Sequence, residues 1–129
     1  THREKALAAA EQKAANRLTE AERKAVVKRA AQMLAEKTAH FAKEMGVTYG
    51  RITIREQKTR WGSCSSAGNL NYNWKLVLMP ERVMDYVVIH ELAHRKEMNH
   101  SARFYAVVAQ QMPDYKVWQS WLKEHGREY

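Results

Sequence analysis

The sequence predicts an α+β fold, and three features of its pattern support that class. Residues 1–45 contain no proline or glycine and are rich in Ala, Glu, Lys and Arg, which favours helix. Apolar and polar residues then alternate over 51–55 and again over 70–74, with the period of two that is typical of strands. Pro80 opens a region whose apolar run fits a buried helix. The predicted order is therefore N-terminal helices, a small antiparallel sheet, a buried helix and C-terminal helices.

The N-terminal 45 residues divide into two predicted helices. Thr19 followed by Glu22 has the pattern of a capping box, so a first helix should end near Leu18 and a second should run from Glu20. Apolar residues recur at helical spacing in the second helix, and the simplest explanation of that face is core packing. Gly46 supplies its stop.

The rest of the chain is divided by turn-forming residues. The two predicted strands are joined by a loop that contains Ser-Ser-Ala-Gly-Asn at 65–69. After the buried helix, Pro113 and Asp114 mark the start of the last helix, and Gly126 marks its end. We see no internal repeat and no low-complexity linker.

Composition limits the classes of protein that need to be considered. The 129 residues, 45% apolar and 28% charged, fit one domain over 1–129 with a modest core. No apolar run approaches the ~20 residues of a membrane span and no signal-peptide pattern opens the chain, which predicts a cytoplasmic protein without membrane contact. A single cysteine, Cys64, excludes an internal disulfide and fits a reducing compartment. Since the chain starts at Thr1 without an initiator Met, we expect an upstream part to have been removed.

The most informative stretch is His90-Glu91-Leu92-Ala93-His94. Successive residues of a helix turn about 100°, so His90 and His94 lie roughly 40° apart on one face, where both imidazoles can reach one ion. Glu91 projects beside them and can act on a metal-bound water. Two histidines and a glutamate on a buried helix need partners, and one cation would satisfy all three. The sequence therefore predicts a site for one zinc ion per chain.

His100 is the predicted third ligand. On an unbroken helix it would lie about 280° around and some 15 Å along from His90, too far to share an ion. The helix must therefore stop first, and Asn99 is the predicted stop because Asn tolerates the left-handed conformation that ends helices. Ser101 can then cap a new helix. We expect one helix over about residues 82–97 and a separate one from near Ser101.

Other residues compete with His100 for the third ligand position. Glu97 is the main competitor, because on a continuous helix it would lie one turn beyond His94. The spacing matches the metzincin pattern HExxHxxGxxH, but Glu97 stands where that pattern has Gly. Cys64 is not expected to bind, since three imidazoles and water complete a catalytic zinc site. The remaining histidines lie outside any ligand spacing and are expected at the surface: His2, His40 and His125.

Three segments together carry a resemblance to a known family: the His-Glu-Leu-Ala-His stretch, Asn99-His100-Ser101-x-x-Phe104, and the upstream residues 58–65, Lys-Thr-Arg-Trp-Gly-Ser-Cys-Ser. In these the chain resembles the YgjP-like family of predicted metal-dependent hydrolases, with a match over about 46–126. The resemblance implies a zincin-like core, the three histidines as metal ligands and Glu91 as the catalytic residue. Family members usually carry a further N-terminal β-rich segment, which this sequence would lack. Family descriptions name both metallopeptidases and pyrophosphatases that act on UTP.

A basic loop between the strands is the predicted substrate-binding segment. Lys58 and Arg60 can bind phosphate or carboxylate, and the hydroxyl of Ser63 can donate to the same anion. A structural explanation is nearly as good: Trp61 plugs the core while Arg60 pairs with an acidic residue of the long helix. Tyr105 is expected either in the core or at the site as an oxyanion donor.

Three functional hypotheses follow from these residues. The leading one is a zinc-dependent hydrolase in which Glu91 deprotonates a metal-bound water. The formal net charge of +8 favours an anionic small-molecule substrate, a nucleoside triphosphate such as UTP, bound by the basic loop. The first alternative is a zinc metallopeptidase whose peptide pairs with an edge strand at 70–74 or 51–55. The second is a nucleic-acid-associated module with structural zinc, which Glu91 disfavours because such a site has no use for a carboxylate beside the metal. The oligomeric state is not predicted.

Overall fold

A computed structural model of the chain describes Arg3, residues 18–57 and residues 60–129. The elements in chain order are helix α1 (Glu20–Met45), strands β1 (Ile52–Arg55), β2 (Gly62–Cys64) and β3 (Leu70–Asn73), a 3₁₀ helix (Trp74–Leu78), helices α2 (Glu81–Ala93), α3 (Ala102–Gln111) and α4 (Tyr115–His125), and a final 3₁₀ turn (Gly126–Glu128). The predicted α+β class is confirmed. Within the described part of the chain, no helix combines the length and the apolar character that crossing a membrane requires.

Helix α1 begins and ends where local chemistry predicts. The Thr19 hydroxyl accepts from the Glu22 N–H at 3.1 Å, and the Thr19 N–H donates to the Glu22 carboxylate at 3.2 Å, which completes the capping box. Gly46 adopts a left-handed conformation with φ of 70° and donates its N–H to carbonyl groups of the last turn. The helix predicted before Leu18 lies outside the described residues.

The sheet is mixed, so the prediction of an antiparallel sheet was wrong. Its strand order is β1–β3–β2, with β1 parallel to β3 and β2 antiparallel to β3. The strand missing from the prediction is β2, which lies in the segment assigned to a loop. Strands β2 and β3 form a hairpin, and β1 pairs with the other side of β3, where the two strands run in the same direction.

Helix α2 is the centre of the fold. Ten of its 13 residues are buried, since it packs against α1, α3, α4 and β2. Its apolar side chains join those of α1 and the sheet in one hydrophobic core. One polar group inside this core is paired: the buried Thr38 hydroxyl donates to the Leu34 carbonyl at 2.7 Å and lies 2.9 Å from the Tyr72 hydroxyl.

An ion cluster fixes α1 against α2. The ammonium of Lys37 donates to the carboxylates of Asp85 at 2.6 Å and Glu81 at 2.8 Å. Burial alone would lower the pKa of Lys37, but the two hydrogen-bonded carboxylates outweigh burial and hold that pKa above its ordinary value. The start of α2 is thereby tied to the middle of α1.

Candidate metal centre

The helix that carries the His-Glu-x-x-His stretch ends earlier than predicted. Helix α2 stops at Ala93, and residues 94–96 continue in tight turns. The chain therefore leaves the helix before Asn99, and the predicted stop at that residue was wrong. The break itself is confirmed, as is the new helix: the Ser101 hydroxyl accepts from the Phe104 N–H at 3.3 Å and caps α3.

Arg95 shows how the chain is held after the helix ends. Its guanidinium donates to the Thr48 carbonyl at 2.8 Å and to the Ser66 carbonyl at 3.3 Å. The same group lies on the backbone of Gly68, where an added Cβ would meet Arg95 Cζ at 2.7 Å. The residue next to His94 is thus fixed to the segment before β1 and to the turn between β2 and β3.

The break brings His90, His94 and His100 together. The Nε2 atoms of His90 and His100 lie 3.2 Å apart, and each of the three residues offers a nitrogen within 4.8 Å of the others. Two nitrogens bound to one tetrahedral zinc at about 2.0–2.1 Å would be roughly 3.3 Å apart. The ring of Phe104 packs against all three imidazoles, with centroid distances of 4.5 to 5.0 Å. The donor set and its spacing fit a metal ion.

Hydrogen bonds orient two of these rings. The Nδ1–H of His94 donates to the Glu97 carbonyl at 3.1 Å, which leaves the Nε2 lone pair for a metal. The Tyr86 hydroxyl lies 3.3 Å from His90 Nδ1, on the side of the ring away from His100. Glu97 therefore contributes through its backbone. Among the described residues, neither its carboxylate nor Cys64 joins the cluster of candidate ligands.

Two of the histidines, His90 and His94, are held in the neutral form that binds metals. Burial lowers the pKa of His90 to about 4, and repulsion from His94 and His100 adds to that effect. Burial also lowers the pKa of His94. Both imidazoles are consequently neutral at pH 7, as a metal ligand must be.

Glu91 lies beside the triad and is only 6% exposed. It packs against strand β2 at Gly62, where an added Cβ would lie 3.0 Å from Glu91 Cγ and 3.1 Å from Val87 Cγ1. Burial raises the pKa of Glu91 to about 8, while the charge of Arg60 opposes that rise. Among the described residues no group donates a hydrogen bond to this carboxylate. It can therefore interact with a polar group that enters the site.

The three histidines and Glu91 open into one cavity of about 500 Å³. Its apolar wall includes Trp61, Val87 and Leu122, and Met98 lies on it with 48% of its surface exposed. The indole of Trp61 packs on the backbone of Gly126, so the end of α4 contributes to this wall. A cavity with apolar walls and a few convergent polar groups is typical of a substrate site.

Only some of the residues predicted to bind substrate line the cavity. Arg60 and Ser63 line the cavity, although the Ser63 hydroxyl already accepts from the Asn71 side chain at 3.1 Å. Tyr105 does not line it: its ring stacks on Tyr115 with centroids 5.8 Å apart. Lys58 lies outside the described residues.

Sequence reasoning missed Tyr86 and mislocated His125. Tyr86 lies one helical turn before His90, and that spacing could have identified it as a partner of the imidazole. His125, predicted at the surface, is completely buried beside Trp121, whereas His40 is exposed as predicted. The packing of the C-terminal residues beneath α4 explains the burial of His125. His2 lies outside the described residues.

Comparison with known proteins finds a matching family and solved structures with a similar fold. The sequence model of the family described as YgjP-like, metallopeptidase domain, matches residues 1–125, further toward the N-terminus than the predicted 46–126. No curated protein matches the sequence. The crystal structure of the metallopeptidase zymogen of Pyrococcus abyssi abylysin is similar, with 24% identity and a TM-score of 0.64 over 73% of this chain and 96% of that chain.

A second solved structure, the metallopeptidase zymogen of Methanocaldococcus jannaschii jannalysin, matches with 19% identity and a TM-score of 0.59. That match covers 70% of this chain and 94% of the other. At such identities the two structures show a shared fold alone. The family match spans nearly the whole sequence, and the chain therefore belongs to the YgjP-like metallopeptidase-domain family of metal-dependent hydrolases.

Proposed function

We propose that this chain is a zinc-dependent peptidase in which His90, His94 and His100 hold the ion and Glu91 is the catalytic base. The observation that carries the proposal is the meeting of three imidazoles with a buried carboxylate in one cavity. A zinc ion in such a site acidifies water and polarises a carbonyl group. Membership of a metallopeptidase-domain family supports a peptide as the substrate.

The ligand set favours a catalytic site over a structural one. Structural zinc sites are usually closed by four protein ligands, whereas catalytic sites have three and one open position. The cluster among the described residues has three members, and the cavity gives a substrate access to them. A nucleic-acid-associated module with structural zinc is therefore the weakest of the three hypotheses.

The position of Glu91 supports the proposed role of general base. It follows His90 directly on α2, so its side chain is offset from the ligand face and lies against Gly62 of β2. From there the carboxylate can accept a proton from the attacking water and later deliver it to the leaving amine. Burial excludes competing solvent from this proton transfer.

Strand β2 supports binding of an extended peptide. The Asn73 N–H donates to the Trp61 carbonyl and the Ser65 N–H donates to the Asn69 carbonyl, both at 2.9 Å. Hydrogen-bonded pairs alternate along an antiparallel ladder, so the N–H and C=O groups of Gly62 and Cys64 point away from β3. β2 is an edge strand that lines the cavity, and a peptide can pair with these groups.

Neither strand that the sequence suggested for peptide pairing is an edge strand beside the cavity. Residues 70–73 form β3, the central strand, whose two sides are already paired. Residues 52–55 form an edge strand, β1, but β3 separates it from the strand that lines the cavity. The short β2, which the sequence pattern did not identify, is the strand in the required place.

A nucleoside triphosphate fits the described site less well than a peptide does. Arg60 is the only Lys or Arg among the described residues that line the cavity. A triphosphate carries several negative charges, and one guanidinium compensates only a small part of them. The hypothesis of a UTP pyrophosphatase depends on Lys58 for a second cation.

Parallel assays distinguish the two substrates. We would incubate the zinc-loaded protein with a mixture of unstructured peptides and, separately, with UTP and other nucleoside triphosphates, using metal-free protein as the control. The proposal predicts zinc-dependent new termini in the peptides, detected by mass spectrometry, and no release of pyrophosphate. Release of pyrophosphate from UTP with all peptides intact would contradict the peptidase function and support the nucleotide hypothesis.

A further inference from the structure

The guanidinium of Arg60 lies at the cavity of the candidate metal centre and has no fixed partner among the described residues. Arg60 lines that cavity, and its guanidinium makes no ion pair or side-chain hydrogen bond with any residue in the described part of the chain. The expected pairing of Arg60 with an acidic residue of α1 is absent there. The carboxylate of Glu56, which follows β1, pairs with Arg23 at 3.1 Å and accepts from the Trp74 indole at 2.9 Å.

The backbone of Arg60 is nevertheless firmly placed. Asn73, which is 3% exposed, donates its side-chain amide to the Gln57 carbonyl at 3.0 Å and to the Arg60 carbonyl at 3.5 Å. The Asn73 N–H also donates to the carbonyl of the next residue, Trp61, at 2.9 Å. A buried residue of the central strand thus fixes the backbone from which the Arg60 side chain extends.

Arg60 and Glu91 line the same cavity. In the proposed function Glu91 has to accept and release a proton, which makes it a poor permanent partner for a guanidinium. The cavity therefore offers an oriented cation that a bound substrate can neutralise.

A carboxylate is the group that best fits a single arginine. The planar guanidinium presents two parallel N–H donors to the two oxygens of a carboxylate. The formal net charge of +8 also attracts acidic peptides and repels basic ones. We propose that Arg60 determines specificity by binding a carboxylate of the peptide substrate, either an acidic side chain near the scissile bond or the free C-terminus. This inference rests on the peptidase function proposed above.

Matched peptide pairs test the inference kinetically. In the first set of pairs, the two peptides differ only by Glu or Gln at one position around the cleavage site, each position is tested in turn, and all C-termini are amidated. In the second set, the two peptides have neutral side chains and differ only by a free or an amidated C-terminus. For one of these pairs we expect kcat/KM to be on the order of tenfold higher for the carboxylate, mainly through KM. Arg60→Gln should remove the preference, and Arg60→Lys should restore part of it.

The matched control is Arg29→Gln, which removes the same charge from an exposed position on α1. It should keep the preference of the parent, which separates a local contact from the effect of net charge. A binding measurement makes the test independent of turnover: in a zinc-loaded Glu91→Gln background, the carboxylate peptide should bind on the order of tenfold more tightly, and adding Arg60→Gln should abolish the difference.

The outcomes separate this inference from the peptidase function. Peptide cleavage with equal rates for both members of every pair would overturn the role of Arg60 and leave the peptidase function standing. A preference that survives Arg60→Gln would overturn it as well. If the zinc-loaded parent cleaves no peptide at all, the peptidase function fails and the role of Arg60 fails with it.

Discussion

The Nε2 atoms of His90 and His100 face each other at 3.2 Å, although the two residues are ten positions apart in the chain. On a continuous helix this approach is impossible, and it depends on the early end of α2 at Ala93. Both residues offer a nitrogen to the same point, next to His94. The break between α2 and α3 is therefore required for the three imidazoles to meet.

Removal of His100 should release the metal. We expect His100→Ala to weaken zinc affinity by more than the roughly 10–100-fold that the loss of an outer contact costs. Zinc content after dialysis and calorimetric titration would measure the effect. The matched control is Glu97→Ala, which preserves the backbone carbonyl that accepts from His94 and should keep its zinc. Full zinc content in the first variant, with loss in the second, would identify Glu97 as the third ligand.

A methyl group on Gly62 should disturb Glu91. The new Cβ would lie 3.0 Å from Glu91 Cγ and 3.1 Å from Val87 Cγ1, so Gly62→Ala should cost about 1–3 kcal/mol of stability and lower kcat. Gly46→Ala is the control: its Cβ meets no atom within 4 Å, but the left-handed backbone should cost about 1–2 kcal/mol. Thermal unfolding and turnover together separate the two effects. Normal kcat in Gly62→Ala would show that the contact with Glu91 does not position it.

Loss of the Arg95 side chain should loosen the turn that follows His94. Arg95→Ala removes two hydrogen bonds to backbone carbonyls, and we expect a loss of about 1–3 kcal/mol of stability together with weaker zinc binding. Arg95→Lys should recover part of both, because one ammonium can reach only some of the acceptors. Zinc titration of the folded variants is the measurement. Parental zinc affinity in Arg95→Ala would limit this residue to a role in stability.

The ion cluster at Lys37 predicts a loss of stability at alkaline pH. Its pKa is raised in the folded state above the ordinary value of 10.5, so its contribution is complete below that pH and disappears as pH rises through the folded-state pKa. We expect the difference in unfolding free energy between the parent and Lys37→Met to shrink above about pH 10.5. Comparing the two proteins cancels the titration of the tyrosines. A difference that stays constant from pH 8 to pH 12 would contradict this account.

Features that depend on near neighbours could be predicted from the sequence. The capping box of Thr19 and Glu22, the stop at Gly46 and the cap at Ser101 each involve groups within a few residues, and all three are present. The need for a break before His100 also follows from helix geometry alone. That break is present in the structure, and His100 lies next to the other two histidines.

Features that depend on distant contacts could not be predicted. The end of α2 is fixed by Arg95, whose acceptors at Thr48 and Ser66 lie far away in the chain. Strand β2 has no alternation of apolar residues, and its pairing with β3 decides both the mixed sheet and the edge that lines the cavity. Tyr105 stacks on Tyr115 and lies behind the lining of the cavity, 6.4 Å from the ring of His100, which no local pattern indicates.

The most direct test of the account is the rate of peptide cleavage as zinc is added to the metal-free protein, for the parent and for Glu91→Gln. The account predicts that the parental rate rises to a plateau at one zinc per chain. Glu91→Gln should bind the same amount of zinc and cleave on the order of a hundredfold more slowly or worse, because it lacks the base that accepts the proton. Cleavage without zinc, or a parental rate in Glu91→Gln, would contradict the central claim that Glu91 and the three histidines form one hydrolytic site.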